Sequence, residues 1–254
     1  MGFIAPHARK GFAFALLTAL AAAAPARGAA VYTIRDLGTL GGSLSETQGY
    51  TALNASGQVA GDSYTAGDAA QHAFRTAANG PIIPGAGGSD LGTLGGTYSI
   101  ARGINASGQA VGIADSTGNA AIHAFRTAAN GSINAGADLG TLGGTNSFAY
   151  GINASGQVVG SASTTGNAAG HAFFADVTGP MVDLNTLIDP ASGWVLTQAH
   201  GINDSGQIAG QGTIGGQPHA FLLTPTPEPA SLSLLVLGGM ALLHRNHSSR
   251  RKTV

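Results

Sequence analysis

The chain contains no cysteine among its 254 residues, and it is poor in charged and aromatic residues. Without cysteine it has no disulfide framework, no thiolate metal site and no thiol nucleophile. Charged residues make up only 9% of the chain and hydrophobic residues 43%, the opposite of the balance in disordered chains. The 41 glycines favour short strands and tight turns over long helices. The sequence therefore predicts an ordered, all-β protein.

Long hydrophobic runs are also lacking, because no apolar segment reaches the roughly twenty residues that a membrane-spanning helix needs. A shorter run at residues 11–24 follows Arg9 and Lys10 and precedes a group of small residues. This is the three-part pattern of a secretory signal peptide. We therefore predict a signal peptide over residues 1–28 and export of the protein, with a permanent N-terminal anchor as the alternative.

A second apolar run, residues 230–243, lies between a proline-rich spacer and a basic tail. This order predicts transient insertion of an apolar helix into the inner membrane, with the basic tail on the cytoplasmic side. Residues 225–254 resemble the PEP-CTERM sorting signal, with Pro227, Glu228 and Pro229 at its P-E-P motif. The resemblance implies cleavage by an exosortase, a membrane-embedded cysteine transpeptidase, in an exopolysaccharide-producing Gram-negative bacterium. An uncleaved tail anchor is the alternative.

Lysine is absent between these two end segments, and that part of the chain is acidic. Residues 29–229 contain four arginines against all twelve carboxylates, a formal net charge of −8. Nucleic acid and anionic membrane surfaces are poor partners for it, because both attract clustered Lys and Arg. Neutral glycans and cations are the ligands that this charge permits.

A unit of about fifty residues occurs four times between the end segments. Each copy carries a D-L element, followed by an N-x-S-G-Q element and then an H-A-F element. The order is kept although the loops differ in length, which indicates structural units. The three elements begin at Asp36, Asp90, Asp138 and Asp183; at Asn54, Asn105, Asn153 and Asn203; and at His72, His123, His171 and His219.

Each unit is predicted to fold into four short strands, the first two joined by a type I turn at N-x-S-G. Four strands at this period resemble a β-propeller blade. The array begins at residues 31–37 with a fourth-strand sequence and ends at residues 218–223 with a third-strand sequence. Pairing of these ends would close a ring of four blades and remove exposed strand edges. A β-solenoid or an open stack of hairpins is the alternative, and the two apolar helices lie outside the fold.

The H-A-F triplets resemble HAF repeats, and the resemblance covers residues 31–224. It implies an exported protein, in some members carrying a PEP-CTERM tail, and no established enzymatic activity. The fourth copy departs from the pattern, because Asn185 and Ile188 replace glycines of the D-L-G-T-L-G-G element.

The repeated polar residues allow two chemical hypotheses besides a structural one. The four histidines could converge on a metal ion, and the four aspartates could supply the paired carboxylates of a glycosidase. We favour blade framework for all of them, because an active site needs asymmetry that residues repeated in every unit do not supply. No catalytic residue, metal ligand or cofactor is predicted.

Function is expected in what differs between the copies. The single tryptophan, Trp194, lies in the divergent fourth copy and marks a candidate ligand surface, although a lone tryptophan is more often packed. We therefore predict a non-enzymatic repeat protein with a structural or adhesive role at the cell surface or in the biofilm matrix. The alternative is a secreted glycan-binding or glycan-cleaving protein that uses the face carrying Trp194.

Overall fold

The computed structural model describes residues 32–49, 51–85 and 89–226. Residues 36–226 belong to one compact unit, whereas residues 32–35 belong to another and contain no strand or helix. The predicted signal peptide, the apolar C-terminal run and the motif Pro227, Glu228 and Pro229 lie outside the described residues. Within the described ranges no helix is long and apolar enough to cross a membrane.

The all-β prediction is confirmed, since the described residues form fourteen strands and only short 3₁₀ turns. The strands fall into four successive units. The first contains β1 (Gly41–Glu46), β2 (Ala60–Thr65), β3 (Gln71–Arg75) and β4 (Asp90–Gly92); the second β5 (Gly95–Ile104), β6 (Ala110–Ser116) and β7 (Ile122–Arg126); the third β8 (Gly143–Ile152), β9 (Val158–Thr164), β10 (Gly170–Ala175) and β11 (Val182–Asp183); and the fourth β12 (Trp194–Ile202), β13 (Ile208–Ile214) and β14 (Gln217–Leu223).

Each unit is an antiparallel meander in which consecutive strands are neighbours. The predicted fourth strand is present in the first and third units as β4 and β11. In the second unit it is reduced to a single bridge between Phe125 and Asp138. The D-L elements of the second, third and fourth repeats are therefore paired with the third strand of the unit before them.

Two turns shape every complete unit. The N-x-S-G turn has the predicted hydrogen bond from the fourth residue to the first, as between Gly108 N and Asn105 O at 3.0 Å. Gly108 has φ of 74°, a backbone conformation that glycine adopts without a steric penalty. Between the second and third strands lie the 3₁₀ turns Ala66–Asp68, Thr117–Asn119 and Thr165–Asn167.

The units stack in sequence order. The first strand of each following unit packs across the second and third strands of the unit before it, and the substantial contacts join sequence neighbours only. The apolar core is correspondingly divided between junctions. Leu91, Ile104 and Phe125 pack at the first junction, Val158 and Phe173 at the second, and Leu184, Leu196 and Phe221 at the third.

The predicted closure of the array into a ring is not confirmed. Residues 32–39 form no strand, and Ile34 is fully exposed, which corrects the strand predicted at residues 31–37. The carbonyl of Leu37 accepts a hydrogen bond from Ile82, but the segment has no third strand beside it with which to form a ladder. Among the described strands β14 has one hydrogen-bonded neighbour, β13.

Candidate functional site

The repeated asparagines join each unit to the next. The side-chain oxygen of Asn105 accepts hydrogen bonds from the backbone N–H groups of Ser107 and Gln109, which fixes the turn. Its side-chain nitrogen donates to the Gln109 side chain and, at 3.1 Å, to the carbonyl of Asn153 in the following unit. Asn54 and Asn153 donate to the next asparagine carbonyl in the same way. The asparagines therefore form a ladder along the array.

This asparagine ladder stops at the fourth unit. Asn54, Asn105 and Asn153 are 8%, 6% and 4% exposed, whereas Asn203 is exposed. Asn203 keeps its turn bonds to Gln207. Its side-chain nitrogen donates to no following unit among the described residues, because no unit follows it there.

Three of the repeated histidines are hydrogen-bonded to repeated aspartates. Each histidine lies in the third strand of a unit and its aspartate lies in the D-L element that follows, so the pair links the third strand to the D-L segment. The pairs are His72 with Asp90, His123 with Asp138 and His171 with Asp183, at Nδ1–oxygen distances of 3.0, 2.9 and 2.6 Å.

The pairs at Asp90 and Asp183 favour the ionised carboxylate. Burial would raise the pKa of Asp90, but the hydrogen bonds from His72 and from the backbone N–H of Gly92 bring it below its ordinary value. Burial acts in the same direction on Asp183, and the hydrogen bonds from His171 and Asn185 again lower its pKa. The Asp90 and Asp183 carboxylates are therefore charged at neutral pH and act as acceptors.

The remaining members of the two series stand unpaired at opposite ends of the array. Asp36 accepts a hydrogen bond from the N–H of Gly38, as the other aspartates do from the residue two positions on. His219 contacts the Trp194 ring edge-on, with centroids 6.2 Å apart. Within the described ranges neither Asp36 nor His219 has a histidine–aspartate partner.

The structure does not bring the four histidines together. They lie in four successive units, one in each third strand. In the described part of the chain no group of three or more His, Cys, Asp or Glu side chains is placed to hold a metal ion.

Trp194 is half-buried in the apolar cluster of the fourth unit. Its ring meets Phe221 edge-on with centroids 6.5 Å apart. One side borders an open groove of about 250 Å³, which Leu222 also lines. A neighbouring groove of about 380 Å³ is lined by Leu184, Leu187 and other apolar side chains up to Pro225. The candidate ligand surface at Trp194 is thus the apolar outer end of the fourth unit.

A second row of side chains was not singled out from the sequence. Arg102, Tyr150 and His200 occupy the position before G-I in three successive first strands. The Arg102 guanidinium lies 5.2 Å from the centroid of the Tyr150 ring, and the His200 ring lies 5.3 Å from it. Aligning the copies on G-I-N would have revealed this row. Because Tyr150 contacts a side chain from each neighbouring unit, the row adds to the cohesion of the array.

Asp62 in β2 is a carboxylate buried without full hydrogen bonding. It is 0% exposed, its Oδ2 accepts a hydrogen bond from the Gln71 side chain, and its Oδ1 has no partner among the residues that the structure describes. Burial raises the pKa of Asp62 to about 6, with Gln71 opposing the shift and Glu46 adding to it. Ile113 fills the equivalent position in the second unit. The first unit therefore carries a polar group where its neighbour is apolar.

The raised pKa of Asp62 predicts an unusual dependence of stability on pH. Because its pKa is higher in the folded chain than the ordinary 3.8, stability should fall as pH rises from about 4 to about 6. The shift corresponds to about 3 kcal/mol at most. The free energy of unfolding, measured by chemical unfolding at pH 4.5 and pH 7, should fall between these pH values in the unchanged chain. In Asp62→Asn this fall should disappear. An unchanged pH slope in the variant would contradict the assignment.

No family model, curated protein or solved structure matches the chain.

Proposed function

We propose that this chain is an exported, non-enzymatic repeat protein with a structural or adhesive role at the cell surface or in an exopolysaccharide matrix. One observation supports the proposal most strongly. In the first three units the repeated asparagine and histidine join strands and units, as the Asn105 and His123 bonds illustrate. A chain whose repeated polar groups serve cohesion is suited to bearing load or to presenting a long surface.

For its architecture we propose an open array of four units in place of a closed four-bladed ring. Support comes from the contacts between units, which follow the sequence order, and from the single hydrogen-bonded neighbour of β14 among the described strands. An open array presents two different ends to its surroundings.

For its delivery we propose export by the signal peptide over residues 1–28 and release after cleavage near Pro227, Glu228 and Pro229 by an exosortase-type enzyme. The support is the order of spacer, apolar run and basic tail in the sequence. The proposed location after cleavage is the cell surface or the exopolysaccharide.

The test is expression in a Gram-negative host that has an exosortase and in the same host without it. We expect loss of the C-terminal tail by intact mass, and surface or matrix location, only where the enzyme is present. Replacing Pro227 and Pro229 by alanine should block cleavage, whereas the matched spacer change Pro225→Ala should not. Retention of the tail in both hosts would contradict the proposal. Release of oligosaccharides from host exopolysaccharide by the purified protein would favour the glycan-cleaving alternative.

A further inference from the structure

The fourth unit exposes a surface that is covered in every other unit. The second strands β6 and β9 are buried over their first five residues, because the next unit packs across them. In β13 the equivalent residues Ala209 and Gln211 are exposed. The third strand β14 also exposes Leu222, which has 64% of its surface accessible. This end of the array has the form of a junction from which one side is missing.

The same end carries hydrogen-bonding groups that are used at the internal junctions. At the first two junctions a third-strand amide, Ala73 N or Ala124 N, donates at 2.8 Å to a serine hydroxyl of the following unit. The equivalent amide in the fourth unit is that of Ala220. In the part of the chain that the structure describes, the Asn203 side chain donates to no following unit and the His219 ring has no carboxylate partner.

The first unit presents the opposite half of the junction. Its serine hydroxyl, Ser45 Oγ, donates at 2.7 Å to the carbonyl of Gly38, as Ser99 does to Gly92, and can likewise accept from an incoming amide. Within the described ranges the Asn54 carbonyl accepts only the turn bond from Gly57, whereas the Asn105 carbonyl also accepts from the preceding unit.

The D-L segment of the first unit is already in place to receive a third strand. Leu37 O accepts from Ile82 N at 2.7 Å, matching the bond from Ile133 N to Leu91 O at 2.8 Å in the next unit. Leu37 is therefore hydrogen-bonded to the first unit in the same way that Leu91 is hydrogen-bonded to the second. The Asp36 carboxylate is exposed, and Leu53 on the same unit has 64% of its surface accessible.

We propose that a second copy of this chain docks head to tail on the fourth unit, with the residue 36–37 segment of one copy adding to β14 of the other as its missing fourth strand. The internal register pairs Phe74 with Asp90 and Phe173 with Asp183, so Phe221 faces Asp36 of the incoming copy. His219 then binds that carboxylate.

The remaining contacts follow from the internal junctions in the same way. The Asn203 side chain donates to the Asn54 carbonyl of the incoming copy and continues the asparagine ladder. The amide of Ala220 donates to its Ser45 hydroxyl. Leu222 is equivalent to Phe174 of the third unit. Phe174 packs in the apolar cluster that the third and fourth units share, and exposed Leu222 would pack in the same way against the incoming copy.

A junction of this kind joins unlike surfaces, so each docking leaves both free ends unchanged and the assembly grows as an open filament. Strand addition at an exposed edge is an established mode of association. The inference names the partner for the structural role proposed above and rests on that proposal only for its biological meaning. Its test in solution can fail while export and processing hold.

The absence of cysteine from the chain allows a direct cross-linking test. Arg35 of the incoming copy should face Leu222, as Val182 faces Phe174 within the third unit. Opposite residues of antiparallel strands have Cα atoms about 5 Å apart, within disulfide range. The full chain carrying Arg35→Cys and Leu222→Cys should therefore form a ladder of covalent oligomers under mild oxidation, and reduction should return it to monomer.

Two controls make this result specific. Either cysteine alone should give dimers at most, and Val177→Cys with Leu222→Cys, two exposed positions without the predicted register, should give no ladder. A covalently closed monomer from the first pair would mean that the array closes on itself and would overturn the proposal. Absence of any cross-link between positions 35 and 222 would overturn it as well.

A measurement without cysteines guards against failure of the variants to fold. In sedimentation velocity the unmodified chain should increase in mass with concentration. Leu222→Asp should abolish this association, whereas Val177→Asp, at a residue with 50% of its surface accessible, should preserve it. A chain that stays monomeric at every concentration, or equal association of both variants, would contradict head-to-tail docking.

Discussion

Gly160→Ala should destabilise the protein by about 3 kcal/mol, the upper end of the usual cost of overpacking a core. A Cβ atom at this position would lie 1.9 Å from the backbone oxygen of Phe148 and 2.6 Å from the ring of Phe173. Neither neighbour can give way easily, because the first is backbone and the second is fully buried. Chemical unfolding followed by circular dichroism measures the loss.

Gly170→Ala is the matched control, because it changes the adjacent strand of the same unit. A Cβ atom there would meet nothing within 4 Å, and the equivalent positions hold Gln71 and Ile122. Its stability should change by about 0.5 kcal/mol or less. If the two variants were equally stable, the close approach of strands at Gly160 would not govern packing of the unit.

The same close approach recurs at Gly61, Gly112 and Gly210, where a Cβ atom would lie 2.1, 1.9 and 2.1 Å from a first-strand carbonyl. The first and second strands therefore approach closely in every unit. At Gly61, Gly160 and Gly210 the phenylalanine of the H-A-F element fills the space beside the glycine. This contact links the glycine to the H-A-F element in those three copies.

Local features of the fold were predictable from the sequence because their causes act over a few residues. The turn at Asn105 and the hairpin around it follow from an asparagine and a glycine three positions apart. The assignment of His72 and Asp90 to the framework followed from their recurrence.

Ring closure could not be predicted in this way. It depends on the rotation between successive units, which is set by many small contacts and is encoded by no single residue. The sequence phase predicts that the two ends of the array are complementary, and Asp36 and His219 lie at those ends. It could not distinguish closure within a chain from pairing between two chains, because both satisfy the same register.

The position of Trp194 illustrates a second limit. Its sequence context distinguished the fourth copy, but its exposure depends on whether another unit covers β14. The row formed by Arg102, Tyr150 and His200 was also missed, because three different residue types occupy one repeat position. Alignment of the copies shows the shared position, and the structure shows the contacts between the side chains.

Asn105→Ala should cost about 3 kcal/mol, because it removes one buried and two partly buried hydrogen bonds at once. The backbone N–H groups of Ser107 and Gln109 would lose their acceptor, and the bond to the Asn153 carbonyl would be lost. A buried donor left without a partner costs about 1 to 3 kcal/mol. Thermal or chemical unfolding at low protein concentration measures the difference.

Asn203→Ala isolates the inter-unit part of this cost. Asn203 makes the same turn bonds, but it is exposed and donates to no following unit among the described residues. Water can replace its turn bonds, so the expected loss is about 1 kcal/mol. The excess at Asn105 then measures the bond between units together with the effect of burial. Equal losses at the two positions would mean that the asparagine ladder contributes nothing to cohesion beyond its turns.

Head-to-tail association adds a dependence on protein concentration. If the chain associates in this way, the loss of stability in Asn203→Ala should approach the loss in Asn105→Ala as protein concentration rises, because the unit that follows Asn203 then belongs to another copy.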